Sequence, residues 1–434
     1  MRAAKAAAAY PTLNVGIAMV SCGGGHQSGS KTTTATAKAT PYTGTDDQLM
    51  DEIQRAAFDF FWSEASPTTG QIRDRAPAVG GGTNTFASIA STGYGLGALC
   101  IGDKRGYGDP KQIKARVTTT LDFLANKMPN EHGFYYHFVD INTGARYNNH
   151  VELSDIDSAI LFCGVLFARQ YYNDPQITAL ANTILHRADW KWFLNGGTMY
   201  SMEWKPETGF SPARWDHYCE LMMMYLFGLG SPTHPIPAKC WTAWARPPIT
   251  YRGYTYIYGD SPLFVHQYSQ AWFDFRNKKD VLGINYFQNS IGATKAHKLF
   301  CLSLKNQFSD YSENLWGITA SDYVHGYTAW GGPPAKGPID GTVVPCAAAG
   351  SLPFDFADCI AVLRNMRNAY PQAWKRYGFV DAFNPLTGWY DTDVIGIDQG
   401  ISMIMCENQR TGMMWQVFNS APEVQAGMKA AGFH

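Results

Sequence analysis

The feature that most narrows the fold is a succession of helix-length apolar runs with almost nothing strand-like between them. Apolar residues recur at helical spacing over 46–64, 85–101, 110–128, 153–172, 175–190, 214–229, 262–276, 285–304, 353–370, 397–412 and 422–431. Several of these runs open on Pro or directly after Asp, Ser or Thr, where helix N-termini belong. Period-two alternation is confined to short pieces such as 133–139 and 250–258. The pattern predicts an all-α fold with short β-hairpins in the connections, not a doubly wound sheet.

A recurring turn organises the helices. Pro-x-Thr-Gly occurs at 67–70, 206–209 and 385–388, with a looser copy at Asn142-Thr143-Gly144. Pro presets φ for a turn and Gly supplies positive φ. Their glycines are spaced by 74, 65 and 179 residues, the last nearly three times the others. A body of 46–434 divided by such a period holds about six units, and one helical hairpin per unit closes into an (α/α)6 toroid. The run from Leu221 to Phe227 is apolar on every side and fits an inner helix of that ring.

The N-terminal 45 residues read differently. Arg2 and Lys5 precede a short apolar stretch, Leu13 to Val20, which is too short to span a bilayer. Ser21-Cys22-Gly23 follows, so 1–22 resembles a bacterial lipoprotein export signal with Cys22 as the lipidated residue. Residues 23–45 are Gly, Ser, Thr and Ala with almost no large apolar side chain, the composition of a flexible linker. This predicts a monomer exported to the periplasm or anchored to the outer membrane, touching membrane only through that lipid. The formal net charge of −1 gives no footprint for nucleic acid. Few charged residues and 14% aromatics suit a cleft for flat, uncharged ligands such as sugars. The nine cysteines include no C-x-x-C pair, and most sit in apolar runs as buried thiols. No metal or cofactor site is predicted.

Cleaving a glycosidic bond takes two carboxyl groups, one to protonate the leaving oxygen and one to activate water or attack the sugar. Glu220 enters the most apolar helix, a setting that raises a carboxyl pKa and suits a general acid. On a helix over 214–229, Asp216 and His217 share its face; the competing reading is a buried Glu held by His217. Glu152, Asp155 and Asp157 open another helix, either as caps or as pocket acids, with Asp157 the deepest. Glu313-Asn314 stands two residues before Trp316, a set able to bond and stack one sugar; Asp322 and Asp340 flank the same loop. Asp381 and Asp398 complete the candidates, and Asp398 reads equally as a helix cap. Trp215, His217 and Trp316 are sugar-positioning candidates, with Asp340 and Asp381 as further substrate contacts. Gly93, Gly95 and Gly97 lack the preceding strand of a nucleotide loop and read as close helix packing.

At these residues the chain resembles the bacterial glucoamylase-like family that includes endo-β-1,2-glucanases. The matching stretches include 88–95, 155–168, 215–235, 313–322, 340–342, 347–354, 377–384 and 396–400. The resemblance implies an (α/α)6 toroid and inverting hydrolysis of a glucan, β-1,2-glucan above all, without a cofactor. It places the pocket acids on Glu220 and on a C-terminal Asp, Asp398 ahead of Asp381; Asp157 and Glu313 remain catalytic candidates from the residue pattern alone. A related toroid enzyme (exo-glucosidase, phosphorylase or polysaccharide lyase) and an inactive sugar-binding lipoprotein are the alternatives, because fold alone does not decide chemistry.

Overall fold

The computed structural model describes residues 42–434. The export signal, Cys22 and nearly all of the expected linker lie outside the described residues.

Helices alternate between an outer and an inner layer along the chain. Outer α1 (Asp46–Ser63) leads to inner α2 (Ile89–Arg105), and outer α3 (Pro110–Asn126) to inner α4 (Asp155–Tyr172). Outer α5 (Pro175–Arg187) leads through short α6 (Trp190–Leu194) to inner α7 (Met222–Gly230). The second half repeats this with α8 (Lys239–Ala243) and α9 (Tyr268–Trp272), α10 (Tyr286–Ser303) and α11 (Pro345–Ala349), and α12 (Phe356–Ala369) and α13 (Gly396–Arg410). Then come α14 (Met413–Phe418) and α15 (Pro422–Ala430). Every residue of α7, α9 and α11 is buried, whereas α1, α3, α5 and α12 bury one stripe each. This is the (α/α)6 toroid the sequence predicted.

Local signals set the elements. Asp109 and Asp174 cap α3 and α5, each followed by Pro at the first helical position. Ser88 and Ser154 cap the inner helices α2 and α4. The four recurring glycines adopt φ of 69°, 69°, 73° and 73° at Gly70, Gly144, Gly209 and Gly388. Each lies in the connection from an outer helix to the next inner one. Hairpins Pro248–Tyr251/Tyr254–Ile257 and Ser321–Tyr323/Gly326–Thr328 occupy the two remaining connections. The ring closes where Arg75–Pro77, ahead of α2, pairs antiparallel with Asp393–Ile395, ahead of α13.

The α2 glycines do pack closely, as read from sequence. A Cβ on Gly164 of α4 would sit 2.0 Å from the Gly93 carbonyl oxygen, and one on Gly93 2.4 Å from that of Ile160. Glycine at both positions therefore lets two inner helices touch backbone to backbone.

Two helices differ from expectation. Of 214–229 only the part from Met222 onward is helical, within Met222–Gly230; 214–217 is extended, with His217 bridged to Ala245, and 218–221 bends and turns into the helix. Within 262–276 the chain forms a 3-10 turn, Leu263–His266, and then the short α9.

Candidate active site

The outer-to-inner connections all lie at one mouth of the ring, so the N-terminal ends of the inner helices converge there. The acids gather at the same mouth. Asp74 precedes α2, Asp157 opens α4, Glu220 precedes α7, and Asp398 opens α13. Mutual electrostatic effects tie them together: Asp157 and Asp260 act on Glu220, and Asp74 acts on both Asp157 and Asp398.

Glu220 stands immediately before Leu221, the N-cap of α7. Glu220 is half-buried as a residue, with its carboxyl enclosed by protein. Burial raises its pKa from 4.5 to about 7, and Asp260 adds to the rise, while a backbone N–H and the Cys219 thiol hold it back. Asp260 is itself clamped by Lys336, with Nζ 2.7 and 2.6 Å from its two oxygens. Tyr218 beside Glu220 is fully buried, its hydroxyl 3.2 Å from His266 Nδ1.

The α4 wall is built around a cation. His137 Nδ1 lies 2.8 Å from Glu152 Oε1 and its Nε2 3.5 Å from Asp157 Oδ1. Burial opposes charge on the imidazole, but Asp157 and Glu152 outweigh it and raise its pKa to about 9. Burial pushes Asp157 up against the pull of His137. Ser154 caps α4 through Asp157 N–H at 3.1 Å and donates to Asp157 Oδ2 at 2.5 Å. Asp155, fully buried, takes the Trp215 indole N–H at 3.0 Å and is pushed far above the carboxylate range by burial.

On the α13 wall Asp398 is the third helical residue and not the cap; the cap position is Ile395. It is buried, and the Cys346 thiol of α11 donates to its Oδ1 at 3.2 Å. Burial lifts it to about 6, with Asp381 and Cys346 as hydrogen-bond partners that limit the rise. Asp381 takes the Asp322 backbone N–H at 2.7 Å and is raised by burial and by Asp398. Arg75 Nη1 meets Asp322 Oδ2 at 2.6 Å, and its Nε meets Asp74 Oδ2 at 3.3 Å. Asp391 is lifted to about 7 by burial and by Asp322. Two groups, His137–Glu152–Asp157 and Asp322–Asp381–Asp391, are each tight enough to share a small cation. Each already faces a protein cation, His137 in one and Arg75 in the other.

The structure thus brings Glu220, Asp157, Asp381 and Asp398 to one mouth, and separates other candidates from it. Glu313 is exposed and ion-paired at 2.7 Å with Lys298 of outer α10, whose ammonium also binds Asp358 of α12. It lies on the outer wall and cannot serve as an acid at the mouth. Trp316 is fully buried beside His297, so its faces belong to the core and offer no platform to a sugar. Trp215 is buried too, and its indole N–H is committed to Asp155. His217 is exposed with Nδ1 2.6 Å from Asp216 Oδ1, and neither shares a helix face with Glu220, because that segment is extended. Asp340 accepts the Thr342 N–H at 2.9 Å and shapes a turn. Arg75, Asp74, His137 and Asp391 went unselected by sequence reasoning. They sit in short strands and connections with no periodic signal; the density of acids over 391–393 was the one available clue.

A helical toroid with carboxyls of raised pKa at the mouth of its inner ring defines a class of proteins built to handle proton transfer in a pit. Comparison with known proteins is specific. A sequence model of the family Glycoamylase, described as "Putative glucoamylase", matches residues 212–422. The solved structure of a "putative glucoamylase" from Bacteroides caccae is 30% identical, with 90% of this chain and all of that chain covered at a TM-score of 0.82. The endo-β-1,2-glucanase of Chitinophaga pinensis, solved with sophorotriose and glucose, is 27% identical, with 90% and 99% covered and a TM-score of 0.82. A curated relative, the exo-β-1,2-glucooligosaccharide sophorohydrolase (non-reducing end) of Parabacteroides distasonis, is 30% identical over 91% of this chain. The chain spans 59% of that relative's length. The chain belongs to the glucoamylase-like family Glycoamylase.

Proposed function

We propose that this protein is a glycoside hydrolase that cleaves β-1,2-linked glucose chains with inversion of configuration. Glu220 is the acid that protonates the leaving oxygen, directly or through a substrate hydroxyl. Asp398 is the base that takes a proton from the attacking water. The carrying observation is the pair itself: two carboxyls on different inner helices at one mouth, brought to about 7 and about 6 by burial. An acid and a base near neutral pH are what glycosidic cleavage needs from its two carboxyls. The substrate class rests on the two relatives described as acting on β-1,2-glucan or its oligosaccharides. Asp157 with His137, and Asp322 with Arg75, are the polar groups that would hold sugar hydroxyls on either side.

The deciding experiment is product analysis of the purified protein on a panel of glucans that includes β-1,2-glucan, with Glu220→Gln beside wild type. Release of sophorooligosaccharides or sophorose by wild type only, with product anomers followed by NMR, supports the reading. A protein that cuts other linkages and leaves β-1,2-glucan intact would remove the substrate assignment. A Glu220→Gln variant as active as wild type would remove the acid.

A further inference from the structure

Asp381 and Asp398 have an unusual division of donors. Asp381 Oδ2 is filled by the Asp322 N–H, and Asp398 Oδ1 by the Cys346 thiol. The remaining oxygens, Asp381 Oδ1 and Asp398 Oδ2, are buried and have no hydrogen-bond donor. Both side chains line one small cavity, and each carboxyl acts on the other: Asp398 raises Asp381, and Asp381 holds Asp398 down. Two carboxylates cannot bond one another, since each is an acceptor only; a single proton between them would satisfy both orphaned oxygens. Both side chains are almost wholly inside, Asp381 at 3% and Asp398 at 5% exposure, so water does not relieve the repulsion.

The surroundings decide which carboxyl keeps the proton. Asp398 lies in the first turn of α13, where the helix dipole favours negative charge, and it has the Cys346 donor. Asp381 lies in a connection, facing Asp322 and Asp391, with Arg75 as the cation nearby. The other titratable groups facing Asp398 are Tyr94 of α2, Tyr268 of α9, Asp322 and Asp74. Burial holds both tyrosines neutral, so neither competes for the role.

We propose that Asp381 is a positioning residue: it stays protonated and donates to Asp398, fixing that carboxylate's orientation and keeping it ionised as the base. The proposal rests on the hydrolase reading only for the word base; the shared proton follows from two orphaned, buried carboxyl oxygens at one small cavity. In the reaction Asp381 makes and breaks no bond to the sugar, and the proton from the attacking water goes to Asp398.

The test compares Asp381→Asn, Asp381→Leu and Asp398→Asn in the full protein by two readouts. Infrared difference spectra at pH 8 report protonated carboxyls without any need for turnover. The expected result is loss of one protonated-carboxyl signal in Asp381→Asn and its retention in Asp398→Asn. An unchanged spectrum in Asp381→Asn overturns the shared proton even if no glucan is ever cut. Kinetics on β-1,2-glucan supply the second readout. Asparagine still donates an N–H to Asp398, so Asp381→Asn should keep kcat within about five-fold and hold the acid limb of the pH profile. Leucine offers no donor; Asp381→Leu should lose about 100-fold in kcat and move that limb to higher pH. Asp381→Asn as inactive as Asp398→Asn, or Asp381→Leu as active as wild type, overturns the positioning role.

Discussion

Replacing Glu220 by glutamine should remove activity while stabilising the fold, and the stabilisation should depend on pH. The carboxyl is carried from 4.5 to about 7, chiefly by burial. A folded-state pKa above the unfolded one means that, between those values, the native chain holds a proton the unfolded chain has released. Native stability therefore falls as pH rises from 4.5 to about 7 and is flat beyond. The shift of about 2.5 units, at 1.36 kcal/mol per unit, gives a ceiling of about 3 kcal/mol. Because Glu220 is only half-buried as a residue, screening trims this to about 2 kcal/mol. Glutamine has nearly the same shape and no charge to desolvate. Urea unfolding of wild type and Glu220→Gln should give equal stabilities at pH 4.5 and a mutant advantage of about 2 kcal/mol at pH 8, with unchanged m. Activity should fall by at least about 100-fold at every pH. A variant equally or less stable than wild type at pH 8 would refute the claim that ionising Glu220 costs the fold anything.

Three further outcomes follow from named contacts. The pH–rate profile on β-1,2-glucan should be a narrow bell: Asp398 must be ionised, which sets a limb near 6, and Glu220 protonated, which sets one near 7; an optimum above about 8 contradicts this assignment. Glu313→Gln should leave kcat unchanged and stability within about 0.5 kcal/mol, since it removes one ion pair whose Glu side chain is 72% exposed; a large loss of activity in a kinetic assay would return Glu313 to the site. Gly164→Ala places a methyl 2.0 Å from the Gly93 carbonyl, so two inner helices must part; a loss of about 3 kcal/mol or more is expected by chemical denaturation, and a neutral result would mean that α2 and α4 are not in backbone contact.

What the sequence made legible follows from what leaves a local trace. Helix periodicity and Pro or Asp start signals located α3, α5 and α10 to within a few residues. The recurring glycines marked four of the six outer-to-inner connections, because positive φ at a turn demands a residue type. The segment 214–221 misled because Trp215, Tyr218 and Leu221 stand at helical spacing; they are buried instead from an extended stretch followed by a bend and turn. The five-residue α11 was missed because Pro345 and Gly350, read locally, bracket a loop. Glu220 and Asp398 could be found because a charge entering an apolar helix is conspicuous in one dimension. Arg75 could not: its strand partner Ile395 is 320 residues away, and the pairing that brings Arg75 and Asp393 to one place is made only when the ring closes. Glu313 and Trp316, three apart, looked like one site, but the chain turns the tryptophan into the core and the glutamate outward.

The toroid also explains why so many acids tolerate one another. Each inner helix presents its N-terminus to the mouth, and such an end carries roughly half a positive charge. The field of several converging ends favours carboxylates, and His137, Arg75 and Lys336 add full charges. Burial nevertheless prevails at the deepest positions, since Asp155 is driven far upward at the first residue of α4. The two proposed catalytic carboxyls differ in placement: Glu220 has a backbone N–H and one thiol as donors and stands before the cap residue of α7. Asp398 lies in the first turn of its helix and has both Cys346 and Asp381 as partners. The helix dipole favours a carboxylate in the first turn, so the same ring end holds Asp398 as the stronger acid and leaves the proton on Glu220. The assignment of base and acid thus comes from where each carboxyl meets its helix, and an exchange of those two environments would exchange the roles.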